Sequence, residues 1–217
     1  MRRLSFAAGA AATWVLLIGA ALSAQTQSAG DAGKDFALIQ RVLQHPRCQN
    51  CHIPGDAPLQ FDDGKPHAMN VQRGPGGEGA YGLPCTTCHA AKNPPTNYGA
   101  HMPPGAPNWK LPPPQSKMVF IGLSAADLCK RLKDTQQNGG RDLAALFEHI
   151  DKDQLVLWGW SPGVGRAPVD VPHAQFAAAF QRWMGAGAPC PSPTLREGSA
   201  PSGAPAGGSP KGARPPA

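Results

Sequence analysis

The run Cys-x-x-Cys-His occurs twice, as Cys48-Gln49-Asn50-Cys51-His52 and as Cys85-Thr86-Thr87-Cys88-His89, and no other feature constrains the fold as tightly. Two thiols at that spacing can add across the two vinyl groups of one porphyrin, and the imidazole directly after the second thiol is then held under the iron as proximal ligand. The sequence therefore predicts two covalent haem c groups, attached through Cys48, Cys51, Cys85 and Cys88, with His52 and His89 on the irons. A structural zinc site is the competing reading, because two Cys-x-x-Cys pairs can supply four thiolates. A His after both pairs is needless for zinc and obligatory for haem, which decides for haem. A thioredoxin-like redox pair would need a strand and a helix around one motif, and the Pro- and Gly-rich surroundings offer neither.

The N-terminus fits that cofactor. Arg2-Arg3 precedes an apolar run from Phe6 to Leu22, and small and polar residues follow from Ser23. Residues 1–24 read as a secretory signal peptide cleaved near Ala24, which directs the chain to the periplasm, where haem c is attached. An uncleaved anchor is the alternative, but the apolar run is short for a span. Removing the signal takes two positive charges from a formal net charge of +6. The propionates of two haems would offset the rest, so the high pI does not argue for nucleic acid, and no basic run interleaved with aromatics does either.

With 25 prolines and 26 glycines in 217 residues, long irregular segments are expected around a modest apolar core. A porphyrin answers that shortfall, because sparse side chains can pack on it. Four stretches read as helices. Phe36, Ile39, Val42 and Leu43 recur at helical spacing down to His45-Pro46, where the proline stops the helix just before the first motif. Ser124 to Asp127 resembles a capping box opening a helix with Leu128 and Leu132 on one side, stopped at Asn138-Gly139-Gly140. Leu143, Leu146, Phe147 and Ile150 form a third stripe, and Phe176, Phe180 and Trp183 a fourth that opens near Asp170 and Pro172. No convincing strand appears. The expected fold is mainly α and loop-rich, with one di-haem domain over residues 31–191. Residues 192–217 are nearly all Pro, Gly, Ser and Ala and read as a disordered tail.

The sixth ligand of each iron is the open question, since it sets the reduction potential more than any other choice. His67 lies in a polar loop between the motifs, away from any apolar stripe, and can fold back over the porphyrin of His52. Met118, in Lys117-Met118-Val119-Phe120, is the second candidate, against the plain alternative that it fills the core. His101, Met102 and His149 stand behind them, His149 reading as exposed on its helix flank. His45 and His173 read as helix-end residues. Cys129 and Cys190 are left over, and in an oxidising compartment they should pair. The segment from Lys92 to Ser116 is dense in proline and aperiodic, which suits a stiff wrap over the second haem with Tyr98 and Trp109 packed on the porphyrin.

A helix before the first motif and another at the end of the folded part resemble the class I cytochrome c plan, in which terminal helices cross above the haem. Met102-Pro103 is similar to the Met-Pro pair that supplies a distal sulfur there. A fuller resemblance spans most of residues 36–191. His45-Pro46-Arg47-Cys48 to His52, Asp62 to Gly74 with His67, Leu83-Pro84-Cys85 to His89, Pro104-Gly105-Ala106-Pro107 before Trp109, Asn138-Gly139-Gly140-Arg141 and Trp158 to Gly163 resemble the small di-haem subunits associated with isoquinoline 1-oxidoreductase. That resemblance implies a periplasmic electron carrier rather than an enzyme, with redox proteins as partners and a molybdenum hydroxylase among them. The alternative is a small peroxidase-like enzyme or haem sensor, which requires an iron with an open coordination position.

Overall fold

The computed structural model describes residues 30–193, so the signal segment and all but the first two residues of the proposed tail lie outside the described residues. Regular structure is helical apart from two minimal ladders. Helix α1 covers residues 30–43 and α2 covers Pro46–Gln49. The hairpin β1 (Leu59–Gln60) with β2 (Lys65–Pro66) and the hairpin β3 (Gly79–Ala80) with β4 (Leu83–Pro84) fill the stretch between the two motifs. Then come α3 (Ala125–Lys133), α4 (Leu143–Lys152), α5 (Gln154–Leu157) and α6 (His173–Gly185). Among the described residues no helix is long and apolar enough to cross a membrane.

The four apolar stripes converge on one core. Phe36 of α1 and Trp183 of α6 are fully buried with ring centroids 5.3 Å apart, and the Asp35 carboxylate takes two bonds from Arg182 at 2.6 and 3.1 Å beside them. First and last helices are thereby packed on each other, while Leu128, Leu146 and Phe180 close the core from α3, α4 and α6. Caps decide where the helices start. Ser124 accepts from the Asp127 amide and Asp142 from the Ala145 amide, each satisfying an amide that has no partner within its helix. Cys129, fully buried on α3, forms a disulfide with Cys190, so the segment after α6 is stitched across the core.

Three expectations are corrected. Helix α3 ends at Lys133 rather than at Asn138, because the buried Asn138 side chain donates to the carbonyls of Leu132 and Arg141 and folds the chain back early. Strands do form, though only two residues long, where Gly64 (φ +65°) and Gly82 (φ +86°) supply left-handed turn positions. His149 is half-buried, its Nδ1 3.1 Å from Asp153 Oδ2. The helix-end reading of the other two histidines holds. His45 caps α2 by accepting from the Arg47 amide, and His173 opens α6 with Nε2 2.9 Å from the Ile150 carbonyl.

Candidate cofactor site

Both motifs form the same local turn. In the first, the amides of Cys51 and His52 donate to the Cys48 carbonyl at 3.2 Å; in the second, those of Cys88 and His89 donate to the Cys85 carbonyl at 3.2 and 3.0 Å. A turn of this kind sets two thiols and one imidazole on one side of the backbone. All four thiols are free, while the two remaining cysteines are paired with each other.

The two imidazoles are prepared alike. His52 Nδ1 lies 2.8 Å from the Met118 carbonyl, and His89 Nδ1 lies 2.8 Å from the Pro104 carbonyl. A carbonyl can only accept, so Nδ1 carries the proton and Nε2 keeps the lone pair that a metal takes. Each ring is also braced by an aromatic one: His52 stacks on Phe120 with centroids 4.0 Å apart, and His89 on Trp109 at 4.3 Å with an interplanar angle of 4°. Burial pushes His52 down to about 4, and it pushes His89 below the usual imidazole range as well. The neutral, ligating form is therefore the one present at neutral pH. Burial also lifts the Cys48 thiol to about 12 and the Cys51 thiol to about 11, which favours thiol over thiolate in both.

A cavity of about 280 Å³ joins the motifs, bordered by Cys51 of the first and by Cys85, Cys88 and His89 of the second. Arg47, Lys110 and Arg166 bring positive charge to a wall that is otherwise largely apolar, with Phe61, Leu111 and Trp158 in it. Two buried polar atoms at this wall have no partner in the protein, Arg47 Nε and Asn50 Oδ1. A buried guanidinium nitrogen without an acceptor is costly, and a carboxylate entering the cavity would relieve it. On this cavity the free thiols of Cys85 and Cys88, the tautomer-fixed His89, apolar walls and one unsatisfied cationic donor together fit a porphyrin with its propionates. The zinc-ribbon arrangement is not formed: among the described residues no three or more His, Cys, Asp or Glu side chains gather as a metal-holding group.

The remaining candidates fall in different places. His67 borders the cavity but faces the second motif, its ring 6.1 Å from that of His89, rather than lying over His52. The β1–β2 hairpin turns it away from its neighbour in sequence. Met118 is buried in the core, and it meets the site through its carbonyl behind the His52 ring instead of through its sulfur. His101 is exposed and edge-on to Phe61, and it borders the cavity. In the Pro-rich segment, expected to pack Tyr98 and Trp109 on a porphyrin, Trp109 borders the cavity and stacks on the His89 imidazole, whereas Tyr98 is 63% exposed and does not border the cavity. Sequence reasoning missed Arg47 and Trp158. Arg47 is 8% exposed, pairs with Asp62 at 2.5 Å and lies 5.8 Å from the centre of the Trp158 ring, which in turn meets Trp109 edge-on at 4.9 Å. An arginine directly before a motif cysteine was the available signal.

Gly105 lets the chain run close behind His89 by having no side chain. A Cβ there would lie 2.1 Å from the Lys92 carbonyl oxygen and 2.4 Å from that of Ala90, so the chain could not pass behind His89. Gly105→Ala should displace the adjoining Pro104 carbonyl and release His89 Nδ1. If each motif carries a covalent haem, attachment at the second motif should become incomplete while the first stays loaded, read as a second, minor mass species of the purified protein; uniform full loading would contradict this.

No family model matches the chain, and no curated protein or solved structure is significantly similar to it.

Proposed function

We propose that the chain is an exported, periplasmic di-haem c-type cytochrome whose task is electron transfer. The observation that carries this reading is the duplicated proximal arrangement, in which a carbonyl at 2.8 Å and a stacked aromatic ring fix the imidazole that follows each cysteine pair. Haem bound there would supply a one-electron couple between ferric and ferrous iron. Cys48 and Cys51 would anchor one porphyrin and Cys85 and Cys88 the other, with His52 and His89 as proximal ligands. The Met118 and Pro104 carbonyls orient these rings and raise their basicity. Arg47, Arg166 and Lys110 would receive propionates, and the Arg47 Nε donor gains its missing acceptor.

Packing of the first helix on the last agrees with the class I cytochrome plan that the sequence resembles. The partners are other redox proteins. The resemblance to subunits associated with isoquinoline 1-oxidoreductase makes a molybdenum hydroxylase the first donor to test, with this chain accepting its electrons. Of the two distal candidates, His67 borders the cavity while the Met118 carbonyl sits on the proximal side, which favours His67.

The intact mature protein should exceed its apo mass by two haems, and Cys88→Ala should loosen only one of them. A single increment, or zinc in place of iron, would reject the assignment. Cyanide or carbon monoxide binding at either iron of the parent protein would favour the enzyme or sensor alternative.

A further inference from the structure

The seven histidines of the chain divide by which ring nitrogen the fold occupies. His45 uses Nδ1 as an acceptor and His173 spends Nε2 on the Ile150 carbonyl, so neither offers an Nε2 lone pair. His67 is different. Its Nδ1 lies 2.9 Å from the Ala68 carbonyl, which fixes the same tautomer as in His52 and His89. It borders the same cavity as His89, and the two ring centroids stand 6.1 Å apart at an interplanar angle of 63°. Two imidazoles bound on opposite sides of one first-row metal at about 2.0 Å per bond stand roughly 6 Å apart, centroid to centroid.

Resting on the di-haem reading above, we propose that His67 is the distal ligand of the second haem, opposite His89, so that a residue following the first motif closes the iron of the other. The backbone is built to deliver it. The His67 amide donates to the Pro58 carbonyl at 2.9 Å and thereby extends the β1–β2 ladder, and just after it Met69 and Asn70 both adopt positive φ, at 63° and 51°. Left-handed backbone at a methionine is kept only where the surroundings over-determine it. The hairpin tip is fastened by Asp62, whose carboxylate takes Arg47 on one oxygen and the Ala167 amide, at 3.1 Å, on the other. Arg47 directly precedes Cys48, so the geometry of the first motif is transmitted to the distal side of the second. Met69 also borders the cavity, is 71% exposed, and is the rival ligand.

The test uses the full mature chain carrying both haems. In His67→Ala, one of the two low-spin haems should become high-spin and accept cyanide, and added imidazole should restore the low-spin spectrum. Met69→Leu should leave both spectra as in the parent. Proton NMR identifies the altered iron: on cyanide addition to His67→Ala, resonances of Trp109, stacked on His89, should move, while those of Phe120, stacked on His52, should stay. Unchanged spectra in His67→Ala overturn the proposal, and so does a shift at Phe120 in place of Trp109. A parent protein with no haem would overturn the functional reading and this proposal together, whereas two haems with an unaffected His67→Ala variant would overturn this proposal alone.

Discussion

Replacing Cys129 and Cys190 together by alanine should lower the stability of the fold by about 4 kcal/mol, the chain-entropy value for a bridge closing a loop of 61 residues. That is a large part of the total for a domain whose stability lies in the range of roughly 5–15 kcal/mol. The loss should come from the unfolded chain, which gains freedom. In the folded chain the segment after α6 keeps two other ties: Lys133 Nζ donates to the Ala188 carbonyl and Trp183 Nε1 to the Pro189 carbonyl, both at 2.9 Å. Neither cysteine borders the cavity between the motifs, so the spectra of any haem bound there should hardly change. Denaturant midpoints for the oxidised protein and the double variant, at equal m-values, measure the difference. A midpoint unchanged between them would show that the bridge carries no stability.

Four of the helices were legible because each spans two or more turns and repeats its apolar residues every 3.6 positions, as Leu143, Leu146 and Ile150 do on α4. The four-residue helices α2 and α5 are too short to show a period, and two-residue strands show no alternation at all. The Cys-x-x-Cys-His residues stood out for another reason: they form a local pattern that is visible without any knowledge of packing. Distal geometry has no such pattern. His67 is nearer to His52 than to His89 in sequence, and only the turn at Gly64 and the Arg47–Asp62 pair carry it to the other motif. Arg47 had only its place directly before a motif cysteine to mark it, and that position does not reveal a guanidinium buried against Trp158. The proline-dense run showed that the segment from Lys92 to Ser116 is stiff, but only contacts distinguish Trp109, stacked on an imidazole, from the exposed Tyr98.

Arg73→Met should destabilise the fold by roughly 2–5 kcal/mol and disorder the cavity wall beside the second motif. Arg73 is 1% exposed and lies between the loop after the first motif and the Pro-rich segment beyond the second. Its guanidinium donates to the carbonyls of Gly55 at 2.9 Å, Ile53 at 3.4 Å and Pro112, and to the Asp56 carboxylate at 3.2 Å. The carboxylate is the minor part of the loss. Asp56 is half-exposed and keeps Lys117 at 2.9 Å, so the ion pair alone contributes little. The carbonyls decide the outcome: those of buried Ile53 and half-buried Pro112 would lose a donor that a thioether cannot replace, at about 1–3 kcal/mol each, whereas that of exposed Gly55 can turn to water. Arg73→Lys should recover only part, because a single ammonium cannot replace a fork aimed at several acceptors. Pro112 adjoins Leu111, which borders the cavity, and Trp109 stands two residues further back against His89, so the slackened segment should weaken the stacking that braces that ring. Denaturation of the three proteins followed by absorbance should therefore show the axial ligation at the second motif lost earlier in Arg73→Met than in Arg73→Lys, and in Arg73→Lys earlier than in the parent. Equal midpoints in all three would mean that the carbonyls find water and that Arg73 is not what joins the two halves of the site.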